Sequence, residues 1–496
     1  MSARITRLFL PFALLANALA APAQTRTPAP AQTRTPAATS PARPQPPQPP
    51  IAVRGETVHT MAGAAIRDGV VLIRDGKIER VGAASQVQVP AGYRVISARV
   101  VTPGLVDAHT VVGLSGYLNQ PHDQDQVERS AAMQPELRAV DAYNAREELV
   151  AWLRRHGVTT IHTGHGPGAL ISGGTMIAKT VGETADEAVM VADAMIAVTL
   201  GPDAYAAGGR APGTRAKEIA LLRQELIRAQ EFVARGARGA AGGAARAAGT
   251  AAGPDPAAVP PRPDEQVGAR GTTDTTAPVG RPAEAPAAGQ GGAASAGGGG
   301  GGGSDAARDL RREAFARVIR RETPLLVTAN RAHDIVSALR LAREFNVRIV
   351  LDGAAESYLV VDEIKRAGVP VIVHPTMYRA TGESENLSME TPATLRRAGI
   401  PVALQSGYEP YVPKTRVVLF EAALAAANGL RPEEALALVT IDAARLLGIA
   451  ARVGSLEAGK DADVALFDGD PFEYTTHVTN VIVDGRVVSA AEPPTP

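Results

Sequence analysis

From about residue 101 to residue 451 the chain keeps one rhythm, and that rhythm constrains the fold more than any other feature. Short runs of β-branched and apolar residues alternate with amphipathic stretches. A helical pattern over residues 141–156 sets Leu149, Trp152 and Leu153 on one face, and the strand-like Val158-Thr159-Thr160-Ile161 follows it. Leu325-Leu326-Val327 precedes a helix predicted over 332–345, and a strand over 347–351 comes next. A helix over 356–367 leads to a strand over 369–373. Residues 400–404 form another strand, followed by helices starting near Arg416 and at Pro432. Pro432 suits a first helical position, and Glu433 and Glu434 favour the positive end of the helix dipole. Strands separated by helices need crossover connections, which make them parallel, and the expected architecture is a (β/α)8 TIM barrel over 102–235 and 305–451.

Both ends of the chain carry a different signature. Val70-Val71-Leu72-Ile73 and Lys77-Ile78-Glu79-Arg80-Val81 flank Asp75-Gly76, a turn dipeptide between β-branched runs. Val464-Ala465-Leu466-Phe467 and residues 478–483, followed by Asp484-Gly485, repeat the pattern near the C-terminus. Residues 51–101 and 452–496 are therefore expected to build one small, sandwich-like β-domain together.

Two segments fit neither pattern. Residues 24–50 are rich in Pro, Ala, Thr and Gln and hold two copies of Gln-Thr-Arg-Thr-Pro, at 24–28 and 32–36. Residues 236–304 are Gly, Ala and Pro with scattered charge, ending in a glycine run over 297–303. Neither has the apolar side chains to offset its ordering entropy, so a solvated linker and a disordered insertion are expected.

Residues 1–23 read as a secretory signal. Arg4 and Arg7 precede a short apolar run over 8–20, and small-residue cleavage patterns follow at Ala18-Leu19-Ala20 and Ala21-Pro22-Ala23. The run is shorter than the roughly 20 residues a membrane span needs. An exported protein, periplasmic or secreted and free of the membrane after cleavage, is the expectation. The 51 basic and 51 acidic residues cancel, which points away from nucleic-acid partners. Cysteine is absent, so disulfides, a thiolate nucleophile and Cys-ligated zinc are excluded.

Val101-Thr102-Pro103-Gly104-Leu105-Val106-Asp107-Ala108-His109-Thr110 resembles the first barrel strand of the amidohydrolase superfamily, whose pattern is Pro-Gly-apolar-apolar-Asp-x-His-x-His. Residues 452–463 are similar to that family's return into its small β-domain, and Val483-Asp484-Gly485-Arg486-Val487 to its final hairpin. Residues 334–345 and 356–373 resemble the imidazolonepropionase-like and prolidase-like branch. The likeness spans most of 51–488 apart from the insertion.

The resemblance implies hydrolysis of non-peptide carbon–nitrogen bonds by one or two divalent metals, commonly zinc, at the C-terminal mouth of the barrel. Such a metal lowers the pKa of its bound water and polarises the scissile carbonyl. It also implies a ligand set that this chain departs from. His109 matches the first histidine of the pair, but Val111 stands at the second. Val327-Thr328-Ala329-Asn330-Arg331 replaces Val-His-Ala-His-Arg on strand five. Gly353 stands at the strand-six histidine and Gly407 at the strand-eight aspartate. Lys179 matches the bridging lysine.

Of the nine histidines, His109, His162, His165 and His374 fall at or just past strand ends. His162, His165 and His374 are an alternative ligand group for one divalent metal, zinc by preference; the plainer reading is hydrogen-bonded loop or core histidines. Arg331 and Tyr408 are candidates for substrate contact. The glycine-rich stretch 166–174 is either an anion cradle or a tight loop, and Asp107 a support for His109. Two functions stay open. One is a degenerate amidohydrolase without resident metal that binds a small molecule, an intact relative or a second copy of itself. The other is an active hydrolase with an altered or a mononuclear metal site using His109, with Lys179, His162 and His165 as candidate further members.

N-terminal sequencing of exported material is expected to find a mature chain starting near Ala21 or Gln24. An intact Met1 in that fraction would sink the signal assignment.

Overall fold

The computed structural model describes residues 49–118, 120–206, 208–249, 309–376, 380–408 and 418–490. The expected signal and most of the linker, the larger part of the insertion and the helix start near Arg416 lie outside the described residues. The chain divides into two units, 1–46 and 47–496, and every described element belongs to the second.

Near the N-terminus run β1 (Ile51–Val58), β2 (Ile66–Arg74), β3 (Lys77–Ala83) and β4 (Arg94–Pro103). The barrel strands follow: β5 (Leu105–Thr110), β6 (Val158–Thr163), β7 (Ile171–Gly174), β8 (Met176–Lys179), β9 (Val189–Val191) and β10 (Ile196–Thr199). After them come β11 (Leu325–Thr328), β12 (Ile349–Gly353), β13 (Val371–Val373) and β14 (Val402–Leu404). The chain closes with β15 (Val464–Phe467), β16 (Val478–Val483) and β17 (Arg486–Ala490).

Both chain ends do build one small unit, as a single seven-stranded sheet in the order β17-β16-β15-β4-β1-β2-β3. The expected sandwich is thus one sheet that curls. Its two hairpin turns meet, so a Cβ on Gly485 would lie 2.8 Å from the Cα of Gly76. Asp75 and Gly76, like Asp484 and Gly485, take positive φ, which a type I′ turn requires at both central positions.

Strands β10 to β14 are parallel neighbours, as are β5 and β6. A parallel bridge from Thr110 to Gly407 joins the last strand to the first. The third stave departs from the expected all-parallel (β/α)8 plan. β7 and β8 form one extended segment that runs antiparallel, with β8 against β6 and β7 against β10. A short connection from β6 leaves no room for a crossover helix, so the chain turns straight back.

Several helix boundaries also shift. The helix expected over 141–156 breaks into Ala139–Ala142 and Glu148–Arg155, because the Asn144 amide donates to Gly113 O at 2.8 Å and Glu147 caps Leu149 N. The helix expected over 356–367 starts as a 3-10 turn at Ser357–Leu359 and becomes α-helical at Val361–Ala367. Helix Arg215–Gly249 runs into the segment expected to be disordered, where alanine, the strongest helix former, is frequent. Helices Ala332–Phe345 and Pro432–Leu438 start where expected, the first ending on Asn346 in the left-handed region.

Lys179 stands on β8 and, because that strand is antiparallel, near the N-terminal end of the barrel opposite Thr160. Its ammonium meets Asp461, Asp463 and Asp484 at 2.9, 3.0 and 2.6 Å, tying the barrel to the small sheet. Burial alone would depress the lysine, but the three carboxylates outweigh it and hold its pKa above the ordinary value. Lys179→Ala leaves Asp461 and Asp463 buried without this counter-charge. Denaturant unfolding is expected to show a loss of about 3–5 kcal/mol. A loss below about 1 kcal/mol, the scale of an exposed pair, would mean the cluster is not a structural tie.

Candidate functional site

Strand alternation decides what faces the barrel interior. Val106, Ile177, Leu326, Val350, Ile372 and Ala403 pack in one apolar cluster inside it. Two residues further along a strand the side chain returns to the same face, one layer nearer the C-terminal mouth. That step goes from Leu326 to Thr328, from Val350 to Asp352, from Ile372 to His374 and from Ala403 to Gln405. A polar layer therefore rests on an apolar one.

Asp352 is its centre. The Oδ1 atom accepts from His109 Nδ1 at 2.9 Å and from Gln405 Nε2 at 2.9 Å, and Oδ2 accepts from Thr328 Oγ1 at 2.7 Å. Burial opposes ionisation of this carboxyl, yet His109 beside it and these donors hold its pKa below the ordinary value. For His109 burial likewise works against the charge, while the Asp352 carboxylate outweighs it and raises the imidazole. With an ionised acceptor at Nδ1, that nitrogen carries the proton. Nε2 is buried and has no hydrogen-bond partner among the described residues, so within them the dyad presents one uncommitted nitrogen able to take up or share a proton.

A second network holds the backbone beneath. Asp107 accepts from the Ser406 amide at 3.0 Å, from the Ser406 hydroxyl and from the His109 amide at 3.3 Å. Burial pushes this carboxyl up to about 7. The expected supporting role of Asp107 thus takes the form of a clamp across the seam where β14 meets β5.

The other histidines divide. His162 stacks at a tilt against His109, with ring centroids 5.6 Å apart. Its Nδ1 bonds Ala108 O and its Nε2 bonds Thr175 Oγ1, each at 2.7 Å, so both ring nitrogens are spent. Burial takes its pKa down to about 3, leaving it neutral. His165 lies beside Gly173, where a Cβ would come 3.0 Å from its Nε2, and burial lowers its pKa too. His374 bonds Pro375 O through Nδ1 at 3.2 Å. Among the described residues no three His, Cys, Asp or Glu side chains come together as a metal site would need.

Placement gives three further candidates their surroundings. Lys179 shares no partner with His109, since the antiparallel β8 carries it to the aspartate cluster. Arg331 pairs with Glu356 at 2.9 Å and with Glu385 at 2.8 Å. The glycine-rich stretch is no anion cradle throughout, because Ile171–Gly174 is strand β7. Tyr408 remains at the mouth, its ring against Gly166, where a Cβ would lie 3.0 Å away.

Asp352, Gln405, Ser406 and Thr175 were not singled out from the sequence as site residues. One signal was available for Asp352: a charged residue ending the apolar run Ile349-Val350-Leu351 must find a partner when buried. In Asp352→Asn, burial acts on His109 without its counter-charge, and the imidazole pKa is expected to fall below the ordinary value. Histidine ring titration by NMR measures this; a pKa that stays raised would show that Asp352 is not the cause.

Comparison with known proteins agrees with this architecture. The amidohydrolase family model matches residues 403–488. Imidazolonepropionase of Shouchella clausii (strain KSM-K16) is 37% identical over 138 residues, which cover 26% of this chain and 29% of that protein. Imidazolonepropionase of Caulobacter vibrioides (strain NA1000 / CB15N) is 44% identical over 77 residues, 15% of this chain and 19% of that one. The chain thus spans under a third of the length of either relative. The structure of an amidohydrolase from Thermotoga maritima MSB8 superposes with a TM-score of 0.72 at 23% identity, over 89% of this chain and 100% of that one. A Xaa-Pro dipeptidase with methionine bound in its active site gives a TM-score of 0.50 at 14% identity, again over 89% and 100%. By the sequence match at the end of the barrel and by its fold, this chain is similar to the amidohydrolase superfamily.

Proposed function

We propose that this exported amidohydrolase-family protein does not run metal-hydroxide hydrolysis and instead binds a small molecule at the polar layer around His109 and Asp352. The supporting observation is the state of two positions where the family carries ligands. Gly353 and Gly407 adopt φ of 70° and 73°, which disfavours any side chain. A Cβ at Gly353 would meet Asn330 Oδ1 at 2.6 Å, and one at Gly407 would meet Pro375 Cγ at 2.4 Å. Neighbouring side chains occupy the space that ligands would need. The donors present do not fit the family's metal pair, because Val111 is apolar and buried and Gly353 and Gly407 carry no side-chain donor. A buried, hydrogen-bonding floor with one imidazole nitrogen uncommitted among the described residues suits recognition of a polar, uncharged or anionic group.

A second reading, hydrolysis at a mononuclear site, draws on the buried, unpartnered Nε2 of His109. Metal content separates the two. Dialysed wild-type protein is expected to hold well under one zinc per chain. His109→Ala and Val111→His should leave that content little changed, since metal binding needs several placed donors together. Acyl-dipeptides and cyclic amides should go unhydrolysed. Stoichiometric zinc that is lost in His109→Ala would overturn the proposal in favour of the second reading.

A further inference from the structure

The opposite, N-terminal end of the barrel holds a cavity of about 1050 Å³. Its floor includes the half-buried Val191, Val336 and Leu446, of which Val191 and Leu446 pack against the apolar cluster filling the barrel interior. Its rim is basic. Arg340 and Arg343 project from helix Ala332–Phe345 and Arg366 from helix Val361–Ala367, all three exposed and all lining this cavity. Among the described residues none of the three side chains makes an ion pair or a hydrogen bond, unlike those of the rim residues Arg321 and Arg348, which bond Asn346 and the Glu322 carbonyl.

The rim carboxylates do not neutralise this edge. Asp193 is already held by Arg138 and Arg317, each at 3.1 Å, which leaves Glu322 and Glu363. Three uncommitted guanidiniums over an apolar floor state a chemical preference. A small polyanion would satisfy the arginines and leave the floor facing water. A neutral apolar molecule would cover the floor and leave the cations without a counter-ion. One molecule with both parts satisfies both surfaces. The volume reaches the upper end of ordinary small-molecule sites, roughly 300–1000 Å³, and leaves room for a chain of several methylenes.

The geometry points to a binding site for an amphiphilic carboxylate, a medium-length alkyl chain ending in an anionic head, at the end of the barrel away from the histidines. The tail lies over Val191, Val336 and Leu446, and the carboxylate meets Arg340, Arg343 and Arg366. This site is independent of the chemistry at the mouth.

Isothermal titration with decanoate below its micellar concentration tests it on the full chain. Saturable binding at one site is expected. Decyltrimethylammonium, with the same tail and the opposite head charge, and inorganic phosphate, with charge and no tail, should each bind at least about tenfold more weakly. The triple variant Arg340→Ala, Arg343→Ala, Arg366→Ala alters exposed side chains only and is expected to keep its thermal midpoint and lose decanoate affinity by about tenfold or more. Four results would overturn the proposal: no decanoate binding, equal affinity for the cationic amphiphile, phosphate binding as tight as decanoate, or unchanged affinity in the folded triple variant.

Discussion

A carboxylate buried inside a barrel must be either neutral or fully engaged, and Asp352 is engaged on every side. His109, Gln405 and Thr328 converge on its two oxygens from three other strands. Removing any one leaves a buried charge short of a donor, which costs more than the lost hydrogen bond itself is worth. The polar layer is thus mutually dependent. His109 keeps its position through Asp352, Asp352 keeps its charge through His109, and Gln405 reaches it only because β14 closes against β5. The Asp107–Ser406 clamp secures that closure.

The same interaction explains why the mouth reads as changed chemistry. In the pattern that the family leads one to expect, imidazoles point into the mouth to hold metal. Here the surviving first-strand imidazole turns one nitrogen to a neighbouring carboxylate, and His162 spends both of its own on Ala108 and Thr175. Asn330 and Pro375 stand against the glycines at two vacated positions. A buried network whose members hold one another in place is rigid.

At the other end of the barrel, a lysine shared by three aspartates fixes the small sheet to the barrel. This is Lys179, which by sequence pattern alone belongs with a metal. Its real surroundings follow from strand direction. A parallel third stave would have carried it toward the mouth, and the antiparallel β8 carries it to the aspartates. The hairpin turns at Asp75-Gly76 and Asp484-Gly485, by contrast, were legible from two letters each, because only a few residues tolerate paired positive φ.

Local chemistry was therefore readable along the chain: the turns, the helix starting at Pro432, the run of barrel strands, and the departures from the expected ligand side chains at Val111, Gly353 and Gly407. These depend on backbone preference and side-chain type, which act within a few residues. The sequence alone also determined that no cysteine chemistry operates here. Tertiary structure decided the partners. That Asp352 would meet His109, 243 positions apart in the chain, depends on barrel closure and register, and no local pattern carries that information. The direction of the third stave, the break at Tyr143 and the extension of helix Arg215–Gly249 were likewise settled by contacts or propensities that the periodicity of apolar residues does not encode. Pairing across a closed sheet is a property of the whole barrel, so the functional layer became visible only once the strands were placed side by side.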